Sequence, residues 1–269
     1  KDNTAKKSEF NDKIKFFAAT AFFKQNNFEK TFALFSDLNK YYNLTDEQRF
    51  MFGVAAYNSN NLDIALTNLT GVETNKNFGN YAKQIKFNIL TRYAFSAAEK
   101  KDYNKAIYNF KLALGYMSAD SPTVYQTLAD CYYQQNDYNA AAQWYAKLKL
   151  VMPNLSNDCA LRYGMALYKI GDYQNAMNYL LKTAEYNNDL EVILAATDLI
   201  NKYKTDDKTT LSILNKAYIL TKKTNILKQI AEIYEKNNDI NNALKYYSEY
   251  TIGYSDHTLP GDMKVLEIA

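Results

Sequence analysis

The stretch PTVYQTLADCYYQQNDYNAAAQWYAKLKLVMP, residues 122–153, decides the fold. Tyr125, Leu128, Ala129 and Tyr132 recur at intervals of three and four, the spacing of one helix face. The polar turn Asn136-Asp137-Tyr138 interrupts that face, and Ala141 and Tyr145 resume it four residues apart. Two helices joined by a tight turn are predicted, the first labelled A and the second B. Ala129 and Ala141 stand twelve residues apart, where antiparallel A and B helices cross; a side chain larger than Ala would hold them apart. Pro153 closes the stretch.

The same turn recurs along the sequence: Asn26-Asn27-Phe28, Asn60-Asn61-Leu62, Lys101-Asp102-Tyr103, Gly171-Asp172-Tyr173 and Asn238-Asp239-Ile240. Three residues after each turn stands a small residue: Thr31, Ala65, Ala106, Ala141, Ala176 and Ala243, with Thr210 filling the gap. Successive intervals are 34, 41, 35, 35, 34 and 33, a period that belongs to paired-helix repeats. Twelve residues upstream comes a second small residue, Ala19, Gly53, Ala94, Ala129, Gly164 or Ala231, with Ala196 in the sixth unit if its turn is two residues longer. Four residues beyond the B-helix small position comes a bulky one: Phe35, Leu69, Phe110, Tyr145, Leu180, Leu214 or Tyr247. Each helix pair covers only part of its apolar surface, so the next pair must cover the rest.

These positions resemble the signature of the tetratricopeptide repeat family, aromatic-x2-Leu-Gly-x2-Tyr followed by Ala-x3-aromatic. Tyr125, Leu128, Ala129, Tyr132, Tyr138, Ala141, Tyr145 and Pro153 carry it best, and Gly164, Gly171, Asp172, Tyr173 and Ala176 repeat it. The resemblance implies an all-α, right-handed α-α superhelical solenoid of about seven antiparallel helix pairs plus a C-terminal capping segment. The repeats are expected at about 12–45, 46–79, 80–120, 122–155, 157–188, 189–223 and 224–252, after a polar segment 1–11 and before a cap at 253–269. The 41-residue interval exceeds 34 by seven, close to two helical turns, so residues 80–100 are read as an over-long A helix preceded by a polar turn at 71–79. Lys15 and Arg49 depart from the first aromatic position, and the sixth unit is degenerate.

Composition removes several function classes. The 32 basic and 29 acidic residues give a formal charge of +3 with no dense basic stripe, so nucleic acid is not an expected partner. No window approaches 18 uninterrupted apolar residues, so no membrane span is predicted. The single histidine, His257, excludes a two-His metal site built without a second polypeptide, and no Gly-rich phosphate motif occurs. Ser255, Asp256 and His257 are sequence neighbours, whereas a nucleophilic triad normally joins distant residues, so they are read as a solvated turn. No enzyme activity, cofactor or metal is expected. Cys131 and Cys159 are read as packed thiols, offset by roughly 10 Å along neighbouring A helices, too far for a disulfide. Trp144 is read as a partly buried packing residue. The sequence begins at Lys1 within a polar stretch, which raises the expectation of a removed leader and leans toward an exported or cell-envelope protein.

In the family that the sequence resembles, three recurrent A-helix positions line the concave surface. Carried over here, they give an apolar track of Phe50, Tyr57, Phe95, Tyr133, Leu161, Met165 and Tyr168 as the candidate groove. Val54, Thr91 and Ile193 occupy equivalent positions; the seventh unit instead offers Lys228, Glu232 and Glu235. B-helix positions on the opposite side, such as Asn139, Gln143, Gln174 and Asn175, are polar. The alternative is that these aromatic residues pack between neighbouring A helices. A Lys, Asn and Arg cluster for acidic chaperone tails is absent, since Phe16, Thr20 and Phe50 stand there. The expected function is a protein-interaction scaffold binding a peptide or partner protein, with an envelope assembly factor as its more specific form; RNA-binding repeat protein and regulatory module of a larger enzyme are the alternatives.

Overall fold

The recurring turns read in the sequence share one backbone device. Asn26, Asn60, Lys101, Asn136, Gly171 and Asn238 all adopt positive φ, between 58° and 85°. At each, two crossed hydrogen bonds close the preceding helix: the Asn27 amide donates to Phe22 O at 2.9 Å and the Asn26 amide to Phe23 O at 2.9 Å. The same pair recurs at Asp137, donating to Tyr132 O at 3.0 Å, and Asn136, donating to Tyr133 O at 3.0 Å. This is the left-handed closure that satisfies carbonyls otherwise orphaned at a helix C-terminus. The very next residue starts the following helix. Asp102 accepts from the Lys105 amide at 3.1 Å and Asp137 from the Ala140 amide at 3.0 Å. Except at Asn60 and Asn61, where the second residue makes no side-chain cap bond, one dipeptide therefore ends an A helix and caps a B helix.

The computed structural model describes residues 2–203 and 205–253. Among them are α1 (Asp2–Lys24), α2 (Phe28–Leu38), α3 (Asp46–Asn58), α4 (Leu62–Leu69), α5 (Gly79–Glu99), α6 (Tyr103–Leu114) and α7 (Pro122–Gln134). They continue with α8 (Tyr138–Val151), α9 (Asn157–Lys169), α10 (Tyr173–Ala184), α11 (Leu190–Lys202), α12 (Asp207–Thr221), α13 (Asn225–Lys236) and α14 (Ile240–Gly253). No strand occurs among the described residues. The expected turn at 255–257 and the cap at 253–269 fall, Gly253 apart, outside them. Helix α1 begins at Asp2, so the stretch read as a polar lead-in is helical backbone.

The protein forms two compact units, Lys1–Cys131 and Tyr132–Ala269. In the first, α1 packs on α2, α3 on α4 and α5 on α6, and successive pairs touch through α2 and α3 and through α4 and α5. In the second, α8 packs on α9, followed by the pairs α9 with α10, α11 with α12 and α13 with α14.

The small and bulky register places its residues in the interior. Ala19, Ala94, Ala129, Ala196 and Ala231 on A helices are all fully buried, as are Thr31, Ala65, Ala106, Ala141, Ala176 and Ala243 on B helices. Phe35, Leu69, Phe110, Tyr145 and Leu180 fill the space beside them with no exposed surface. At the crossing glycine Gly53 an added Cβ would lie 2.6 Å from Leu69 Cγ. At Gly164 it would lie 2.8 Å from Tyr179 Cβ and 3.0 Å from Leu180 Cγ.

Two places depart from the repeat. Helix α5 runs 21 residues, and its first turns bury Lys86, whose ammonium pairs with Glu73 at 3.0 Å and lies 4.4 Å from the centre of the Tyr116 ring. The extra turns are thus tied to the segment that precedes them. In the sixth pair the A helix ends on Tyr203 in extended backbone, and Thr210 is only partly buried. Asp206 still caps α12 through the Thr209 amide at 2.8 Å. Lys216 of α12 reaches back to the end of α10, donating to Ala184 O at 2.8 Å, Glu185 O at 2.6 Å and Asn187 O at 3.1 Å. A cation at that terminus satisfies carbonyls and opposes the helix dipole.

Candidate functional site

The A-helix faces carry aromatic side chains that are half-buried, because each ring leans on a neighbour one turn or one repeat away. In the first unit, Phe23 packs edge-on against Phe28 at 6.0 Å and against Phe50 at 6.3 Å. Phe50 in turn stacks on Phe78 at 4.6 Å and meets Tyr81 edge-on at 5.9 Å. Tyr81 remains 55% exposed at the end of this run. Phe95 meets Phe110 edge-on at 5.1 Å, leaving part of its ring uncovered. Such offset and edge-on contacts fix ring orientation and suit the ring quadrupole.

Between Phe50 and Phe95 the open face is polar, a feature the sequence reading did not anticipate. Gln84 donates to Asn88 Oδ1 at 3.1 Å, and Asn88 reaches the Tyr57 hydroxyl at 3.5 Å. Arg92 donates to Asn60 Oδ1 at 2.9 Å. Asn88, Arg92 and Phe95 share a shallow cavity on α5. Spacings of four from 84 to 88 to 92 were the available signal, masked because the family register starts its three positions only at Thr91. Thr91 itself is buried and turns its hydroxyl to Phe87 O at 2.9 Å.

In the second unit, Tyr133 packs edge-on against Tyr138 at 5.4 Å, and burial, with Glu191 nearby, pushes its hydroxyl up to about 12. Tyr168 leans on Tyr173 at 5.5 Å and donates to Asp198 Oδ2 at 2.9 Å; burial and this bond push its hydroxyl to about 12. Burial works against ionisation of Asp198, yet hydrogen bonds from Lys202 and Tyr168 hold its carboxyl below the usual range. Lys202 also sits 4.2 Å from the centre of the Tyr173 ring, a favourable cation and ring contact.

Leu161 is partly exposed, but Met165 is 2% exposed and cannot serve as a contact residue. Met165 follows the small residue Gly164, and its equivalent Val54 is likewise buried, in one cluster with Ile85 and Ile89. That position turns toward the next A helix: α9 packs on α11 just as α3 packs on α5. The apolar track is therefore interrupted at Met165. Ile193 is also fully buried. In the seventh pair, Lys228 and Glu232 lie 3.8 Å apart, and Glu235 accepts from the Tyr247 hydroxyl at 2.8 Å. On the B helices, Asn139, Gln143, Gln174 and Asn175 are exposed. Trp144 is partly buried, with Lys147 at 4.0 Å from its ring centre. Cys131 and Cys159 are free and buried, and burial raises the Cys131 thiol to about 11.

Among the described residues no group of His, Cys, Asp and Glu suits a metal, and no helix is long and apolar enough to cross a membrane. Helix pairs at this period, with a small and bulky register buried except at Thr210, define a tetratricopeptide-type helical-repeat fold. Residues 99–183 match the profile of the family described as anaphase-promoting complex, cyclosome, subunit 3. No curated protein matches the sequence. Similar solved structures include YrrB, described as a TPR protein with an unusual peptide-binding site, at 19% identity over 66% of this protein and 89% of that one, TM-score 0.43. MamA from Desulfovibrio magneticus is 15% identical over 68% of this protein and 96% of that one, TM-score 0.40. The C-terminal part of a TPR repeat-containing protein from Cytophaga hutchinsonii is 19% identical over 93% and 99%, TM-score 0.38.

Proposed function

We propose that the protein is an interaction scaffold that takes a peptide or partner segment against its A-helix faces. The supporting observation is a set of partly exposed apolar and aromatic side chains held in place on the A helices. On the A side, Phe50, Tyr57, Phe95, Tyr133, Leu161 and Tyr168 are partly exposed, most of them with ring contacts or hydrogen bonds that hold them in place. On α8 and α10 the outward residues Asn139, Gln143, Gln174 and Asn175 are exposed amides, although B helices elsewhere expose apolar side chains such as Tyr108 and Ile219. Rings already fixed in orientation lose little freedom when a partner covers them, which is what anchors of an interface require. In the first unit, Asn88 and Arg92 add donors beside the rings, so the bound segment presents carbonyl or carboxylate oxygens there.

The test is affinity capture from the source cell, followed by titration of the captured partner. Tyr133→Ala with Tyr168→Ala should weaken binding by more than about 2 kcal/mol, the level of a hot spot. Asn139→Ala with Asn175→Ala should leave it unchanged. Both variants must first match the parent in helical circular dichroism and melting point. Folded A-face variants that bind like the parent, with B-face variants that do not, would move the interface to the outer helices.

A further inference from the structure

The second unit contains a cavity away from the aromatic A-helix positions, where the connection between α8 and α9 meets the start of α9 and the last turns of α10. Its volume is ≈ 480 Å³, within the range of about 300–1,000 Å³ usual for small-molecule sites. Four amide side chains line it: Asn154 from the connection, Asn157 from α9, Asn178 from α10 and Asn187 just beyond. Asp158 and Lys182 bring one charge of each sign.

These groups are uncommitted. The side chains of Asn154, Asn157, Asp158, Asn178 and Lys182 are solvent-exposed and, among the described residues, have no hydrogen-bond or ion-pair partner. Asn187 uses only its side-chain carbonyl oxygen, accepting from the Asp189 amide at 2.6 Å, so its NH2 group is available. The cavity also has aromatic walls. Tyr179 is fixed by Tyr163 at 4.8 Å and by Lys149, which donates to its hydroxyl at 2.6 Å. Tyr186, at the rim, is 80% exposed.

We propose that this cavity binds a short, uncharged oligosaccharide. An amide side chain presents a donor and an acceptor side by side, matching a pair of neighbouring sugar hydroxyls, each of which also donates and accepts. Several amides from the connection, α9, α10 and the residues beyond it fit a ligand that carries hydroxyls all round, and Tyr179 and Tyr186 supply flat apolar surface for the C–H faces of the rings. The opposed charges of Asp158 and Lys182 favour a neutral ligand. Leu161 of the A-helix face also borders this cavity, whereas Tyr133 and Tyr168 do not, so variants at those two tyrosines separate this site from the protein-binding surface.

The whole protein, titrated calorimetrically with maltotriose, cellotriose and chitotriose, should show saturable binding to at least one of them. Asn157→Ala with Asn178→Ala should weaken that binding about tenfold, the loss of two ordinary hydrogen bonds. Tyr186→Ser provides a second variant at a surface position and should also weaken it. Tyr133→Ala with Tyr168→Ala should bind the saccharide like the parent. Absence of saturable binding to all three sugars overturns the proposal, as does undiminished binding by folded Asn157→Ala, Asn178→Ala protein. Saturable binding of triglycine in place of the sugars, lost in the same variant, overturns it too and assigns the amides to a peptide backbone.

Discussion

The hydroxyl of Tyr168 donates to Asp198 across 30 residues, from one A helix to the A helix of the next pair. Links about one repeat long recur in both units: Tyr93 to Asp63 at 2.7 Å, Lys149 to Tyr179 at 2.6 Å and Tyr246 to Asn215 at 3.3 Å. Neighbouring pairs are stitched together at their edges as well as packed through their centres.

Tyr168→Phe should therefore destabilise the second unit by about 1 kcal/mol, the net worth of one hydrogen bond, without loss of helical signal. Because the Asp198 carboxyl is held low in the folded protein, its contribution is complete above its ordinary value and is lost as pH falls through the folded one. Urea unfolding of parent and Asp198→Asn should give a stability difference at neutral pH that shrinks on acidification below about pH 4. A pH-independent difference would show that the carboxylate charge contributes nothing.

Gly53→Leu and Gly164→Leu should each cost at least about 1–3 kcal/mol, because Leu69 Cγ and Tyr179 Cβ already occupy the space an added Cβ would take. Asn139→Leu, at an exposed B-helix position, should change the melting temperature little. Equal effects at the three sites would refute the crossing register.

Lys86→Ala should destabilise the first unit by about 3 kcal/mol, since it leaves Glu73 in a largely enclosed site without its partner. Burial favours the neutral form of Glu73, but its own backbone amide, Lys86 and the Gly71 backbone together hold the carboxyl low. The stabilisation is present above its ordinary value and disappears as pH falls through the folded one. Chemical denaturation at neutral and acidic pH should thus show parent and Lys86→Ala converging in acid.

Lys101 adopts the left-handed conformation at φ 61°, where Gly171 stands in another turn of the same kind. Lys101→Gly should stabilise by up to about 1 kcal/mol and Gly171→Ala should destabilise by a similar amount. Thermal melts of the two variants moving in the same direction would contradict the shared geometry.

The repeat register was legible in the sequence because steric exclusion is unforgiving at a helix crossing: only Gly, Ala or Thr stands at the crossing positions, and all but Thr210 are buried. The turns were legible because left-handed closure and capping select Asn, Asp and Gly. The candidate site was less so. Met165 looked equivalent to Phe95, but whether a residue beside the small position faces solvent or the next A helix depends on how closely the neighbouring pair approaches. The polar face of α5 was hidden by its two extra turns, which carry Gln84 and Asn88 through positions the family pattern does not number. The unit boundary at Cys131 and Tyr132 leaves no mark, because the repeat motif runs through it without interruption.

The dipeptide that closes one helix and caps the next has a consequence for hydrogen exchange. At Asn136 and Asp137 the last carbonyls of α7 and the first turn of α8 depend on the same two residues, so fraying at one end disturbs the other. Opening at such a turn releases both helices together, and the amides on its two sides should exchange with one common rate. Helix α11 ends instead on Tyr203 in extended backbone while Asp206 caps α12 separately, so the amides at the end of α11 should exchange ahead of those at the start of α12, marking the place where the second unit first comes apart.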